Sequence, residues 1–197
     1  MIDEVWPGPK ECAVQGDWLQ MPFPPASRDL ALCDGGPILL EYPTAHRALV
    51  DQLHRLLVPG GRVIFRAFVP PAKRESKQIV FDDLAQGRIA NLNILKMRLG
   101  MAMQPSADEG VAIDDVLHAV ESVDNDLARL AQRLGWTWDH MRVIEVYRDS
   151  PARYHFVSEE QLTRLFCHDG RFALVGRWHG TYPLAERCPI IAFERQN

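Results

Sequence analysis

Hydrophobic positions divide the chain into three stretches of different rhythm. Up to about Pro71, short apolar runs alternate with turn residues. Glu11 to Gln15 reads as a short strand ending at Gly16-Asp17, and Arg28 to Cys33 as a second ending at Asp34-Gly35-Gly36-Pro37. Ala45, Leu49, Leu53 and Leu56-Leu57 then recur at helical spacing, and Pro59-Gly60-Gly61 stops that helix. Arg62 to Val69 is a third strand, closed by Pro70-Pro71.

From about Ser76 to His140 the period becomes helical. Ile79, Val80, Leu84, Ile89, Leu92, Leu95, Leu99 and Met103 predict one or two amphipathic helices. Val116, Leu117, Val120, Val123, Leu127, Leu130 and Leu134 predict another, beyond the polar loop Gln104 to Gly110. After His140 the alternation returns. Arg142 to Tyr147 reads as a short strand, and Ser158-Glu159-Glu160-Gln161 as a capping box opening a helix with Leu162, Leu165 and Phe166. Phe172 to Trp178 and Pro189 to Phe193 are the last two strands, with Tyr182 to Arg187 between them. The expectation is one α/β domain: a sheet core over residues 1–75, a helical insertion over 76–140 placed as a lid, and a C-terminal helix with a strand pair over 141–197.

Composition narrows the function classes. At 197 residues, with 47% hydrophobic and 24% charged, the chain is ordinary for one globular domain with a sizeable core. A net charge of −4 leaves no electrostatic footprint for nucleic acid or an anionic membrane, and Arg164, Arg171, Arg177, Arg187 and Arg195 read as scattered surface charge. No apolar run is long enough to cross a bilayer, and Met1-Ile2-Asp3-Glu4 lacks a signal pattern. Cys12, Cys33, Cys167 and Cys188 form no Cys-x-x-Cys pair, and no histidines cluster at metal-ligand spacing, so no metal is expected. Cys12 and Cys33 adjoin apolar residues and are expected to be buried; reduced thiols fit a cytoplasmic setting.

Three stretches resemble the class I, Rossmann-like S-adenosylmethionine-dependent methyltransferases. Val14-Gln15-Gly16-Asp17-Trp18-Leu19-Gln20-Met21-Pro22-Phe23 looks like their third strand and its turn, and Arg28 to Gly36 resembles the fourth strand. The run from His46 through Leu56-Leu57-Val58-Pro59-Gly60-Gly61-Arg62 is similar to the helix and turn entering the fifth strand, and is the most specific of the three. The closing strands are similar to the family's C-terminal hairpin. The resemblance implies S-adenosylmethionine as cofactor and a strand order of 3-2-1-4-5-7-6. It also implies that the chain begins about one βαβ unit late, with Met1 to Gly8 matching the helix after the second strand. The glycine-rich loop for the methionine carboxylate and the acidic residue for the ribose would then both be missing. The third strand could then close onto the fourth, another chain could fill the gap, or the product could be N-terminally truncated.

By that resemblance Asp17 accepts a hydrogen bond from the adenine amino group, Trp18 lies beside the ring, and Asp34, Gly35 and Gly36 form the floor near the methionine portion. An ionised carboxylate suits the first role because it only accepts, and glycine lets backbone approach a ligand closely. Turn formation is the competing reading for both aspartates. The absence of an Asn/Asp-Pro-Pro-Tyr run after Asp34 weakens amino-nitrogen methylation of nucleotides or glutamine, and a small-molecule methyl acceptor is favoured. No catalytic base is assigned. Trp136, Trp138, His140, Tyr147, Tyr154 and His155 are candidate pocket residues, each also a natural core residue. Met97, Met101 and Met103 read as core fillers, and His54 as a surface residue on the helix that also carries His46. A second function remains open, a non-catalytic module that binds a partner, or a second copy as a homodimer, through its exposed sheet edge. A hydrolase is disfavoured by the lack of a G-x-S-x-G elbow.

Overall fold

A computed structural model describes residues 8–197. The expected match of the first residues to a family helix lies outside the described residues. Strand β1 (Arg28–Asp34) pairs in parallel with β2 (Leu57–Arg66) across the helix α1 (Thr44–Leu56). The last two strands, β5 (Phe172–Trp178) and β6 (Ile190–Arg195), form an antiparallel pair, with β6 inserted beside β2. The sheet order is β1-β2-β6-β5. This matches the 4-5-7-6 part of the order the resemblance implies, and the fold is α/β with a Rossmann-like sheet and a C-terminal antiparallel strand pair.

Local chemistry explains these elements. Leu49, Val50, Leu53 and Leu56 recur on one face of α1 and are buried. The Pro59-Gly60-Gly61 turn that stops the helix in sequence sits inside β2. Pairing with β1 jumps there, from Arg28 opposite Leu57 to Leu30 opposite Arg62. The helix α7 (Glu159–Cys167) opens on the expected capping box, with Ser158 Oγ accepting the Gln161 N–H and the Gln161 side chain accepting the Ser158 N–H. Helices α1 and α7 cover one face of the sheet. There Leu53, Leu165 and Phe166 pack on Phe65, Ile191 and Phe193, with Phe166 stacked on Phe193 at 4.3 Å.

Between β2 and α7 lies the helical insertion. It contains α2 (Lys77–Ala85), α3 (Leu92–Met103), α4 (Ile113–Glu121), α5 (Leu127–Leu134) and the single turn α6 (Trp138–Met141). A two-residue ribbon, β3 (Val111–Ala112) with β4 (Arg153–Tyr154), ties its ends. Its core is its own: Leu95, Leu99, Leu117, Leu130, Met141 and Ile144 are fully buried together. Side-chain caps begin the helices at Ser76, Asn91 and Asp126.

Four expectations are corrected. Glu11 to Gln15 is no strand: Lys10–Cys12 is a turn of 3₁₀ helix, followed by unpaired extended chain. A strand needs a neighbour for its backbone groups, and no strand among the described residues lies beside this segment. The third-strand region therefore does not close onto β1. Arg142–Tyr147 is also 3₁₀. Ile144 and Tyr147, three apart, face the insertion core, while Val143 and Val146 are exposed. The apolar run from Val116 to Leu134 is two helices, α4 and α5, divided at Ser122 to Asp126. There Asp124 accepts from the Asp126 N–H and the Arg129 guanidinium. Cys12 is exposed and Cys33 only half-buried, because no strand packs over the first and the second lies at the sheet's edge.

Candidate functional site

The two corners singled out in the sequence are placed by the end of α1. Arg55, in its last turn, donates to the carbonyls of Met21 at 2.8 Å and Phe23 at 2.7 Å. The Ala26 and Ser27 N–H groups donate to the carbonyls of Arg55 and Leu56. These bonds hold the segment before β1 alongside the helix and carry Trp18 to the end of the strand. The indole lies against Gly36: a Cβ on that glycine would sit 2.7 Å from Trp18 Cη2 and 2.8 Å from Cys33 Sγ. The Asp17 carboxylate is in a turn, with Oδ1 accepting the Leu19 N–H at 2.8 Å, and stays exposed.

Asp34 ends β1 directly opposite Arg66 at the end of β2. The two form a bidentate ion pair, Nε to Oδ1 at 2.5 Å and Nη2 to Oδ2 at 2.8 Å. This carboxylate, with Tyr182 nearby, raises the pKa of Arg66 above its ordinary value. Gly35 then turns the chain with φ of +69°, its N–H donating to the Arg66 carbonyl. A Cβ there would meet Phe68 Cε2 at 2.3 Å. The turn conformation and the aromatic neighbour both require glycine.

Two cavities flank this corner. The first, about 380 Å³, is an apolar groove along β1 between Trp18, Met21 and Phe23 on one side and Leu49 and Leu53 of α1 on the other. The second, about 310 Å³, opens over the end of β2. Arg66 and Phe68 form its floor; Asn93, Ile94 and Met97 of α3 form one wall, and Tyr182, Leu184 and Cys188 the other. Ligands of open α/β sheets bind at this end of the strands.

A buried ion cluster fixes the two walls of the second cavity. Glu75 receives Arg98 of α3 at 2.7 Å and Arg187 of the β5–β6 loop at 2.5 Å, and Arg98 also reaches Asp83 at 2.6 Å. The side chains of Glu75, Arg98 and Arg187 are all less than 15% exposed. Burial alone would raise the Glu75 pKa, but the hydrogen bonds from the two guanidinium groups hold it below the usual carboxylate value.

The other residues picked from sequence lie elsewhere. Tyr147 and Tyr154 share a hydrogen bond of 2.6 Å inside the insertion, and burial with this bond raises the Tyr147 pKa. Trp136 packs on the same core; Trp138 and His140 lie on its outer surface. His155 is buried and bonds the Ala107 carbonyl through Nδ1. None of these six lines the cavity over β2. Met97 does, while Met101 is buried in the insertion core, and His54 is half-buried against Phe172 instead of fully at the surface. The lining residues that sequence reasoning passed over are Arg66, Phe68, Asn93, Tyr182 and Cys188. Arg66 and Phe68 lie at and just past the end of β2, Asn93 in the first turn of α3, and Tyr182 and Cys188 in the loop before β6. Among the described residues no three His, Cys, Asp or Glu side chains group as a metal ion would require, and no helix is long and apolar enough to cross a membrane.

No protein-family model matches the sequence, and no curated protein is significantly similar to it. Solved structures are similar in fold. A protein from Rhodobacter sphaeroides, named for the Zn-dependent alcohol dehydrogenases, superposes with a TM-score of 0.51 at 14% identity, over 92% of this chain and 65% of its own. An S-adenosylmethionine-dependent methyltransferase from Methanosarcina mazei gives 0.49 at 13%, over 92% and 65%. The N-methyltransferase NodS of Bradyrhizobium japonicum, solved with S-adenosyl-L-homocysteine, gives 0.40 at 16%, over 92% and 53%. The present chain thus spans just under two thirds of the first of these proteins, and at such identities the likeness is one of fold.

Proposed function

We propose that this chain is the acceptor-side half of an S-adenosylmethionine-dependent methyltransferase, and that a small molecule binds over the end of β2. The observation that carries this reading is the meeting of Trp18, Gly36 and the Asp34–Arg66 pair at the ends of two parallel strands, beside an open cavity.

The residues present fit one end of the cofactor. Asp17 Oδ2 is uncommitted and can accept from the adenine amino group, and the half-exposed Trp18 ring offers a flat face beside it. The amino-acid end finds no matching donors at this corner, because Asp34 and Arg66 satisfy one another. When bound, the cofactor supplies an electrophilic methyl group on a sulfonium. The work left to this chain is positioning. Phe68, Ile94, Met97 and Leu184 exclude water from the acceptor, while the Asn93 amide and the Tyr182 hydroxyl orient its polar groups. The ion pair leaves this floor nearly neutral, which suits an uncharged, amphipathic acceptor. No residue here is assigned to remove a proton.

Isothermal titration with S-adenosyl-L-homocysteine tests the cofactor side. The reading expects saturable binding, weakened by roughly tenfold or more in Asp17→Ala, the loss of one hydrogen bond to a charged group. A flat isotherm for the wild-type chain overturns cofactor binding by this half. The uncovered edge of β1 supports a second function, as a binding module, since Leu30 and Leu32 there are 49% and 71% exposed.

A further inference from the structure

The geometry points to a two-fold dimer in which β1 of one copy pairs antiparallel with β1 of a second, giving a continuous eight-stranded sheet. Among the described residues β1 has β2 on one side and no strand on the other. An unpaired edge with exposed leucines invites another strand. The sheet's other edge is a poorer template: a bulge interrupts β5 between Leu174 and Gly176, and the Arg177–Glu159 ion pair sits beside it. From Leu30 to Asp34, by contrast, β1 runs without irregularity.

The sequence of β1 names its own partner. Arg28-Asp29-Leu30-Ala31-Leu32-Cys33-Asp34 is complementary to itself when reversed about Ala31. Arg28 then stands opposite Asp34 of the second copy, Leu30 opposite Leu32, and Asp29 opposite the uncharged Cys33. The pairs are oppositely charged, apolar, or a single charge facing a neutral thiol, and none sets like charges together. Arg28, Leu30, Leu32 and Asp34 all lie on the face away from α1 and α7, and all are exposed. The Asp34 side chain is 68% exposed even with Arg66 bound to it. Residues of β1 also line the apolar groove with Trp18, Met21 and Phe23, and this apolar surface beside the strand adds area to a strand pair that alone would be small. Such an isologous contact closes at two subunits.

Analytical ultracentrifugation over a concentration series tests the proposal, with a concentration-dependent monomer–dimer equilibrium expected. Leu32→Lys, exposed in the monomer, is expected to leave the urea midpoint unchanged. It should weaken dimerisation about 30-fold, since the axis repeats the lost apolar pair at two positions. Register is read by mild oxidation of Leu30→Cys mixed with Leu32→Cys, both in a Cys12→Ser background because Cys12 is exposed. Disulfides between the two variants are expected, with few within either variant alone. A monomer at every concentration, a dimer indifferent to Leu32→Lys, or cross-linking equal in single and mixed samples would each overturn it.

Discussion

Gln104 ties the end of α3 to the segment after β4 through a contact that resembles a missing rung of backbone pairing. It follows the last residue of α3 and is 7% exposed. Its Nε2 donates to the Phe156 carbonyl at 2.9 Å, and its Oε1 accepts the Phe156 N–H at 2.7 Å. Phe156 is fully buried, so water cannot replace either bond. Gln104→Leu keeps the volume but leaves both backbone groups of Phe156 unpaired. At roughly 1–3 kcal/mol for each orphaned group, the expected loss is about 2–6 kcal/mol. A domain of this size has a total stability of about 5–15 kcal/mol, so the loss would be a large share. With a urea m-value of about 2 kcal/mol per molar, the midpoint should fall by roughly 1–3 M, which circular dichroism resolves. Gln104→Ala should cost less where the smaller side chain admits water to Phe156. A Gln104→Leu protein within about 0.5 kcal/mol of wild type, below the scatter of surface substitutions, would refute this account.

Other substitutions probe the corner and its surroundings. Gly35→Ala should cost about 2–4 kcal/mol, from the left-handed backbone and the close approach of Phe68, and Phe68→Leu in the same chain should recover part of that loss in urea melts. His46 is buried with Nε2 unbonded, and burial lowers its pKa below 6.5. The unfolded chain therefore takes up the proton first, and the stability held above pH 6.5 declines as the pH falls below it. His46→Gln should flatten that decline between about pH 7 and 5, measured as urea midpoints; an unchanged slope would assign it to other groups. Glu75→Gln removes the charge between Arg98 and Arg187 and should cost about 3 kcal/mol, as expected for breaking a buried pair from one side.

What the sequence made legible was decided by neighbours in the chain. Helix α1 and the Ser158 capping box depend on residues a few positions apart, and each formed where the pattern put it; Pro59-Gly60-Gly61, expected to stop α1, lies instead within β2, which begins at Leu57. The strand order followed from resemblance to a known fold, since parallel pairing between Arg28–Asp34 and Leu57–Arg66 leaves no local mark. Glu11 to Gln15 and Arg142 to Tyr147 failed for opposite reasons. The first has strand-like residues but no partner, and the second has its apolar side chains at a spacing of three. Around the site, the sequence indicated the corners. The pairing of Asp34 with Arg66, a residue 32 positions away, left no local mark in it. Tyr182 and Cys188 reach the same cavity only because β6 turns back beside β2, a long-range event no window of residues records.

The insertion and the sheet each carry a separate hydrophobic core. Cooperative units divided in this way need not open together. Amide exchange is then expected in two tiers, with Leu95, Leu99 and Leu117 sharing one protection factor and Val63, Phe65 and Phe193 another. Destabilising the first set would speed exchange in the insertion and leave the strands as slow as before. Access to the cavity over β2 can therefore be retuned by substitutions that never touch the scaffold beneath it.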